Sequence, residues 1–241
     1  MCKVMGIVNV TPDSFSDGGQ FFKPEEAVRR AKNLIADGAD IIDLGGESTR
    51  PGATPISWEE EWSRIEPVLA DLASSVSRLK SFQISVDTYH PETAAKAISA
   101  GAHIINCVYP EPIPEMLKLL EGNDVELVLP AKTLFPLPSS LFPRLYLDPM
   151  IGFNTTREED VELLRSIPEL AKKGRVLVGA SRKRIVKKLV GEKSAVGKNI
   201  GGNVAIAIWA ALNGASVVRV HDVKETIQAL RVVDALGEGE R

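Results

Sequence analysis

Eight short runs of branched and apolar residues recur along the chain: VMGIVNV at 4–10, DIIDLG at 40–45, FQISVDT at 82–88, HIINCV at 103–108, VELVLP at 125–130, RLYLDP at 144–149, RVLVGAS at 175–181 and SVVRVHD at 216–222. Near-continuous apolar runs of this kind suit strands buried on both faces. Between most of them, at 24–39, 57–76, 90–102, 156–174, 201–215 and 223–237, apolar residues recur near a 3.6-residue period, the mark of a helix with one buried stripe. Strict alternation of strand and helix implies a parallel sheet with right-handed crossovers, and eight strands favour a single (β/α)8 TIM barrel over an open doubly wound sheet. Gly38, Gly101, Gly174 and Gly214 stand where helices should stop. One connection breaks the rule. Residues 131–143, AKTLFPLPSSLFP, carry three prolines and leave no room for a full helix between strands five and six, which is expected to be missing or much reduced.

Nothing in the composition divides the 241 residues, so one domain spanning 1–241 is expected. Hydrophobic residues at 44% can bury a core without disulfides or metal. A net charge of −3, with basic residues clustered only at 183–188, argues against nucleic acid or a membrane surface as the partner. No apolar run approaches the roughly 18 residues that crossing a bilayer needs. Cys2 and Cys107 fall in no metal or redox spacing and the N-terminus runs directly into a strand pattern, which points to the cytoplasm. His90, His103 and His221 are too scattered to form a metal cluster by spacing.

The functional signal is positional. Asn9, Asp43, Asp87, Asn106, Asp148, Ser181 with Lys183, and Arg219 with His221 stand at or just past the C-terminal ends of seven of the eight strands. Any one of them alone is a turn former or a helix cap. In a barrel, however, all strand C-termini meet on one face, where active sites form. Acids and amides there can read ring N–H and amino groups while Arg, Lys and His hold phosphate, as a polar heterocycle with an anionic tail requires.

The segments MGIVNVTPDSFSDGGQF (5–21), IIDLGGESTRPGA (41–53), ISVDTYHPETAAKA (84–97), LDPMIGF (147–153), LVGASRK (177–183) and VVRVHDVKET (217–226) closely resemble, in order and spacing, the signature segments of the dihydropteroate synthase family. That resemblance implies condensation of 6-hydroxymethyl-7,8-dihydropterin pyrophosphate with p-aminobenzoate, or a related arylamine, in folate biosynthesis. It implies a pterin held by Asp87, Asn106, Asp148 and Lys183 and stacked over Arg219, with Asp87 and Asp148 ionised. The diphosphate pocket maps to Asn9, Thr49, Arg50, Arg219 and His221, with Asn9 also touching Mg²⁺. Asp13 or Asp17 would stabilise the cationic methylene-pterin, while Phe15 and Pro51 line the arylamine slot. Asp43 is a further candidate, or serves mainly to orient the Gly45-Gly46 turn. The family also implies a homodimer, with the apolar face of 204–212 at the interface.

The chain departs from the family pattern at four places. Cys107 follows the strand-four Asn where Asp is usual, Met150 replaces a Gly, and Arg184 replaces a small polar residue near the arylamine carboxylate. At the end of strand five, Leu129-Pro130-Ala131-Lys132 stands in place of a Met-His-Met-type end, with Lys132 expected in solvent. His90 reads as an ordinary helix start, Arg182, Lys187 and Lys188 as a solvated helix face, and Trp58, Trp62 and Trp209 as packing residues. Two other functions stay open at this point: a pterin-binding methyltransferase domain serving a corrinoid partner, and a non-catalytic pterin binder.

Overall fold

The computed structural model describes residues 2–11, 23–48, 53–76, 82–133, 137–191 and 199–237. Eight parallel strands close into a barrel in sequence order: β1 Lys3–Asn9, β2 Ile41–Gly45, β3 Gln83–Asp87, β4 Ile104–Asn106, β5 Glu126–Pro130, β6 Leu145–Asp148, β7 Arg175–Val178 and β8 Val217–Val220. Closure runs through β1 and β8, with Lys3 opposite Val217 and Met5 opposite Arg219. The helices are α1 Pro24–Ala36, α2 Trp58–Val76, α3 Pro91–Ser99, α4 Ile113–Lys118, α5 Arg157–Arg165, α6 Ile167–Ala171, α7 Arg184–Val190, α8 Ile200–Leu212 and α9 Val223–Gly237. The TIM-barrel expectation holds. Among the described residues the connection from β5 to β6 contains two short 3₁₀ turns, Ala131–Thr133 and Ser139–Arg144, in place of a full helix.

The chain forms two compact units. One comprises residues 7–36 and 40–129, with β2 to β4 and most of β5. Its core is built from Ile41, Ile42, Leu44 and Ile84 of the strands and Leu34, Ile65, Leu69 and Leu72 of the helices, all buried. The branched residues pack flat on the pleat while the helices supply long side chains from one stripe. The other unit comprises residues 1–6, 37–39 and 130–241, with β6 to β8 and α5 to α9. Leu147, Val176, Leu177, Val217, Val218, Ile185 and Ala210 fill its interior.

Gly38, Gly101 and Gly214 take positive φ of 107°, 100° and 95°, as helix-stopping glycines do. Gly174 has another reason to be glycine: a Cβ there would stand 3.2 Å from Leu147 Cδ1. The stretch 156–174 is two helices rather than one, broken at Ser166 ahead of Pro168. The short helices α4 and α7 add to those expected from periodicity.

Candidate active site

At the ends of β2, β3 and β4 the side chains form a hydrogen-bonded set. Strand register pairs Asp43 with Ser85, Gly45 with Asp87, and Asp87 with Asn106. Asp43, fully buried, accepts from Ser85 Oγ at 2.6 Å and from Asn106 Nδ2 at 3.4 Å. Both contacts orient its neighbours Ser85 and Asn106. With its amide nitrogen turned to Asp43, Asn106 keeps its buried Oδ1 without a hydrogen-bond partner, an acceptor left for a donor from outside the chain. Beside it, Val10 N donates to Gly45 O at 2.7 Å. A side chain at Gly45 would begin 3.8 Å from Asp87 Cβ and 4.0 Å from Asn9 Oδ1, so glycine keeps the space between those two groups open.

The exit from β2 is pinned. At Gly46 a Cβ would lie 2.9 Å from both Glu61 Cγ and Ile65 Cγ1, and Arg64 Nη1 donates to the Gly46 carbonyl at 2.8 Å. Tyr89 donates to Glu47 Oε1 at 2.8 Å, and His90 Nε2 stands 3.4 Å from Glu47 Oε2. His90 does begin α3, and its side chain lies near Glu47 without making a cap hydrogen bond. Under it, Thr88 donates to Glu61 Oε2 at 2.7 Å; burial pushes the Glu61 carboxyl above its usual range. Cys107 is the buried thiol expected from the sequence, pushed up to about 12 by burial. Asp13, Phe15, Asp17, Thr49, Arg50 and Pro51 lie outside the described residues.

A cationic set sits at the ends of β6, β7 and β8. Burial raises the Asp148 carboxyl, opposed by the Lys183 ammonium, a 2.7 Å hydrogen bond from Met150 N, and Arg219. Burial outweighs the two cations in setting that direction. Lys183 Nζ donates to Ile151 O at 2.6 Å and lies 4.2 Å from the centroid of the Phe153 ring. Arg219 runs beside Gly179, where a Cβ would be 3.8 Å from its Cβ and Cδ. His221 N donates to Ser181 Oγ at 3.3 Å, and that hydroxyl is 3.2 Å from His221 Nδ1, a contact whose direction is set by the imidazole tautomer.

Arg182 is not part of a solvated helix face. It takes a left-handed φ of 61°, its N donates to Asn203 Oδ1 at 3.0 Å, and its guanidinium donates to Asp222 Oδ1 at 2.7 Å. Asn203 closes the set on Asp222 Oδ2 at 2.9 Å, tying β7 and β8 to α8. Lys132 is exposed, as expected. Sequence reasoning missed Ser85, Glu47, Tyr89 and Asp160, which act on other side chains; only the register of neighbouring strands would have paired Asp43 with Ser85.

As to a metal, no group of three or more His, Cys, Asp or Glu among the described residues could hold one. The carboxamide oxygen of Asn9, beside the gap at Gly45, is a hard neutral donor of the type Mg²⁺ accepts as one ligand among several.

A family model described as "Pterin binding enzyme" matches residues 5–136 and 141–221. Dihydropteroate synthase of Neisseria meningitidis serogroup C is 38% identical over 268 residues, covering 98% of this chain and 93% of that protein. The Escherichia coli K12 dihydropteroate synthase is 38% identical over 261 residues, covering 96% and 90%. Among solved structures, Xanthomonas albilineans dihydropteroate synthase with 4-aminobenzoic acid superposes with a TM-score of 0.83 at 37% identity, covering 98% of this chain and 93% of the other. The same enzyme in complex with 7,8-dihydropteroate gives 0.80 at 35% identity, covering 98% and 94%.

Proposed function

The chain belongs to the pterin-binding enzyme family and, within it, to the dihydropteroate synthases, and from that premise we propose how its residues divide the reaction. It is a transferase that joins 6-hydroxymethyl-7,8-dihydropterin pyrophosphate to p-aminobenzoate. A C–N bond forms at the pterin methylene, the C–O bond to the diphosphate breaks, and the amine nitrogen sheds a proton as pyrophosphate leaves. The observation that carries the residue assignment is the buried Asn106 Oδ1 without a partner, held in place by Asp43, at a strand end directly beside Asp87. A pterin's amino group and ring N–H are donors that need such acceptors.

In this reading Asp87, Asn106 and Asp148 accept from the pterin ring, and Lys183 donates to it. Arg219 stacks on the ring and, with His221, Thr49 and Arg50, binds the diphosphate. With Nδ1 paired to the Ser181 hydroxyl, we assign the imidazole proton to Nε2, which His221 offers to a phosphoryl oxygen. Mg²⁺, held through Asn9, would neutralise charge on the leaving diphosphate. By the family resemblance, Asp13 or Asp17 would stabilise the developing methylene cation, and Phe15 and Pro51 would line the arylamine slot. Asp43 orients Asn106 and does not itself touch substrate.

Two coarser points complete the proposal. We place the reaction in the cytoplasm, supplying folate biosynthesis, as the family resemblance implies; separately, among the described residues no helix is long and apolar enough to cross a membrane. We place a second copy of the chain on α8, where Ile200, Trp209 and Leu212 are exposed and where Trp209 lines, with Leu189 and Val190 of α7, a groove of about 410 Å³. Light scattering at micromolar concentration should give a dimer mass.

The test of the function is pyrophosphate release. Purified protein should release it only with the dihydropterin diphosphate, an arylamine and Mg²⁺ together. No turnover with p-aminobenzoate or any related arylamine would remove the assignment.

A further inference from the structure

The loop from β6 to α5 has a shape that does not follow from its own backbone preferences. Met150 and Asn154 both take left-handed φ, 65° and 53°, and Gly152 takes 78°. Left-handed non-glycine residues cost energy and persist only where surrounding contacts impose them. Met150 is held by Asp148, as described. The rest is held from the first helix beyond the loop. Asp160 of α5 is buried, 1% exposed, and its Oδ1 accepts from Gly152 N at 2.6 Å and from Thr155 Oγ1 at 2.6 Å. Thr155 Oγ1 also accepts from Gly152 N, at 3.1 Å. The start of α5 is fixed in turn by a capping box between Thr156 and Glu159, so Asp160 sits on an anchored first turn.

This loop is the mould for Lys183. Its Ile151 carbonyl accepts from Nζ and its Phe153 ring lies beneath the ammonium. At Gly152 a Cβ would come within 2.9 Å of Lys183 Cδ, so the lysine stem runs where a side chain at 152 would begin. We infer that Asp160 is a positioning residue for pterin binding: through Gly152 and Thr155 it sets the loop that aims the Lys183 ammonium. The inference rests on Lys183 binding the pterin, and the effect should fall on the pterin step alone. The arylamine KM should stay as it is.

The test is calorimetric titration with the dihydropterin diphosphate of the native protein, D160A, D160N, K183A and the double variant D160A/K183A, with thermal melts alongside. We expect D160A to weaken binding about tenfold, within the range seen for coupled neighbours. D160N, which keeps an acceptor for Gly152 N–H and the Thr155 hydroxyl, should lose less. The double variant should bind no more weakly than K183A. If D160A folds poorly, T155V, which removes one of the two donors to Asp160, should still show a smaller loss. Native affinity in D160A, or losses in D160A and K183A that multiply in the double variant, would overturn the inference. Native affinity in K183A would instead overturn the placement of Lys183, and with it any role of Asp160 through that residue.

Discussion

At the ends of β2 to β4, Asp43 divides its oxygens between Ser85 and an amide, and Asn106 is left with a neutral acceptor turned out of the network. At the ends of β6 to β8, Asp148 is buried against Lys183 and Arg219, and the ammonium is aimed by a carbonyl, a ring and a strained loop. The first arrangement is a set of neutral or singly charged hydrogen bonds, whose worth depends on direction. The second is a balance between burial and opposing charge, whose worth depends on keeping both signs present. Direction can be lost by turning one amide. Balance is lost only by removing a charge.

That difference sets the order of expected effects. Lys183→Ala leaves Asp148 buried without its leading counter-charge; pterin affinity should fall by about 1.5–3 kcal/mol, the scale of a lost hydrogen bond to a charged group. Native affinity in calorimetry would break the contrast at its strongest point. Gly46→Ala tests the rigidity of the first half: a methyl forced to within 2.9 Å of Glu61 and Ile65 should cost about 1–3 kcal/mol of stability in denaturant unfolding. Asp43→Asn should cost less, about 1 kcal/mol of pterin affinity, because one amide partner is misdirected while its volume stays the same.

The pH dependence separates the halves more finely. Burial raises Asp148, so in the folded protein its carboxyl takes up a proton above the ordinary carboxylate range. The ionised form is the one that accepts from pterin N–H groups. Affinity should therefore decline as pH falls through that raised value, and Asp148→Asn should bind weakly with a flat profile across the same window. The sign for stability is opposite: a raised carboxyl makes the fold gain stability as pH falls towards the ordinary carboxylate value. Smallest of all is the effect at Cys107. Pushed up to about 12 and fully buried, it should resist alkylation at neutral pH in the native protein while Cys2 reacts, as intact-mass measurement would show.

Strands were legible in the sequence because Val, Ile and Leu occupy both faces of each run, as DIIDLG at β2 illustrates. Short helices were not. Helix α4 has six residues with Pro114 inside its first turn, and α7 has seven with two lysines, too few for a 3.6-residue period to show. Polar residues that close a strand, such as Asp87, Asn106 and Arg219, were legible as candidates by position. Residues that serve them were not: Tyr89 meets Glu47 across 42 positions, and Asp160 lies within an exposed-looking REEDVELL helix although it is buried. Such pairings depend on which turn of backbone faces which strand, and that is set by packing.

The crowding of Gly152 against the stem of Lys183 ties the permissible size of one position to the length of the other. A library that randomises residue 152 alone should return little besides glycine. One that also shortens residue 183 removes the clash but not the left-handed φ of 78° at 152, so it should admit alanine or serine there only with a loss of stability.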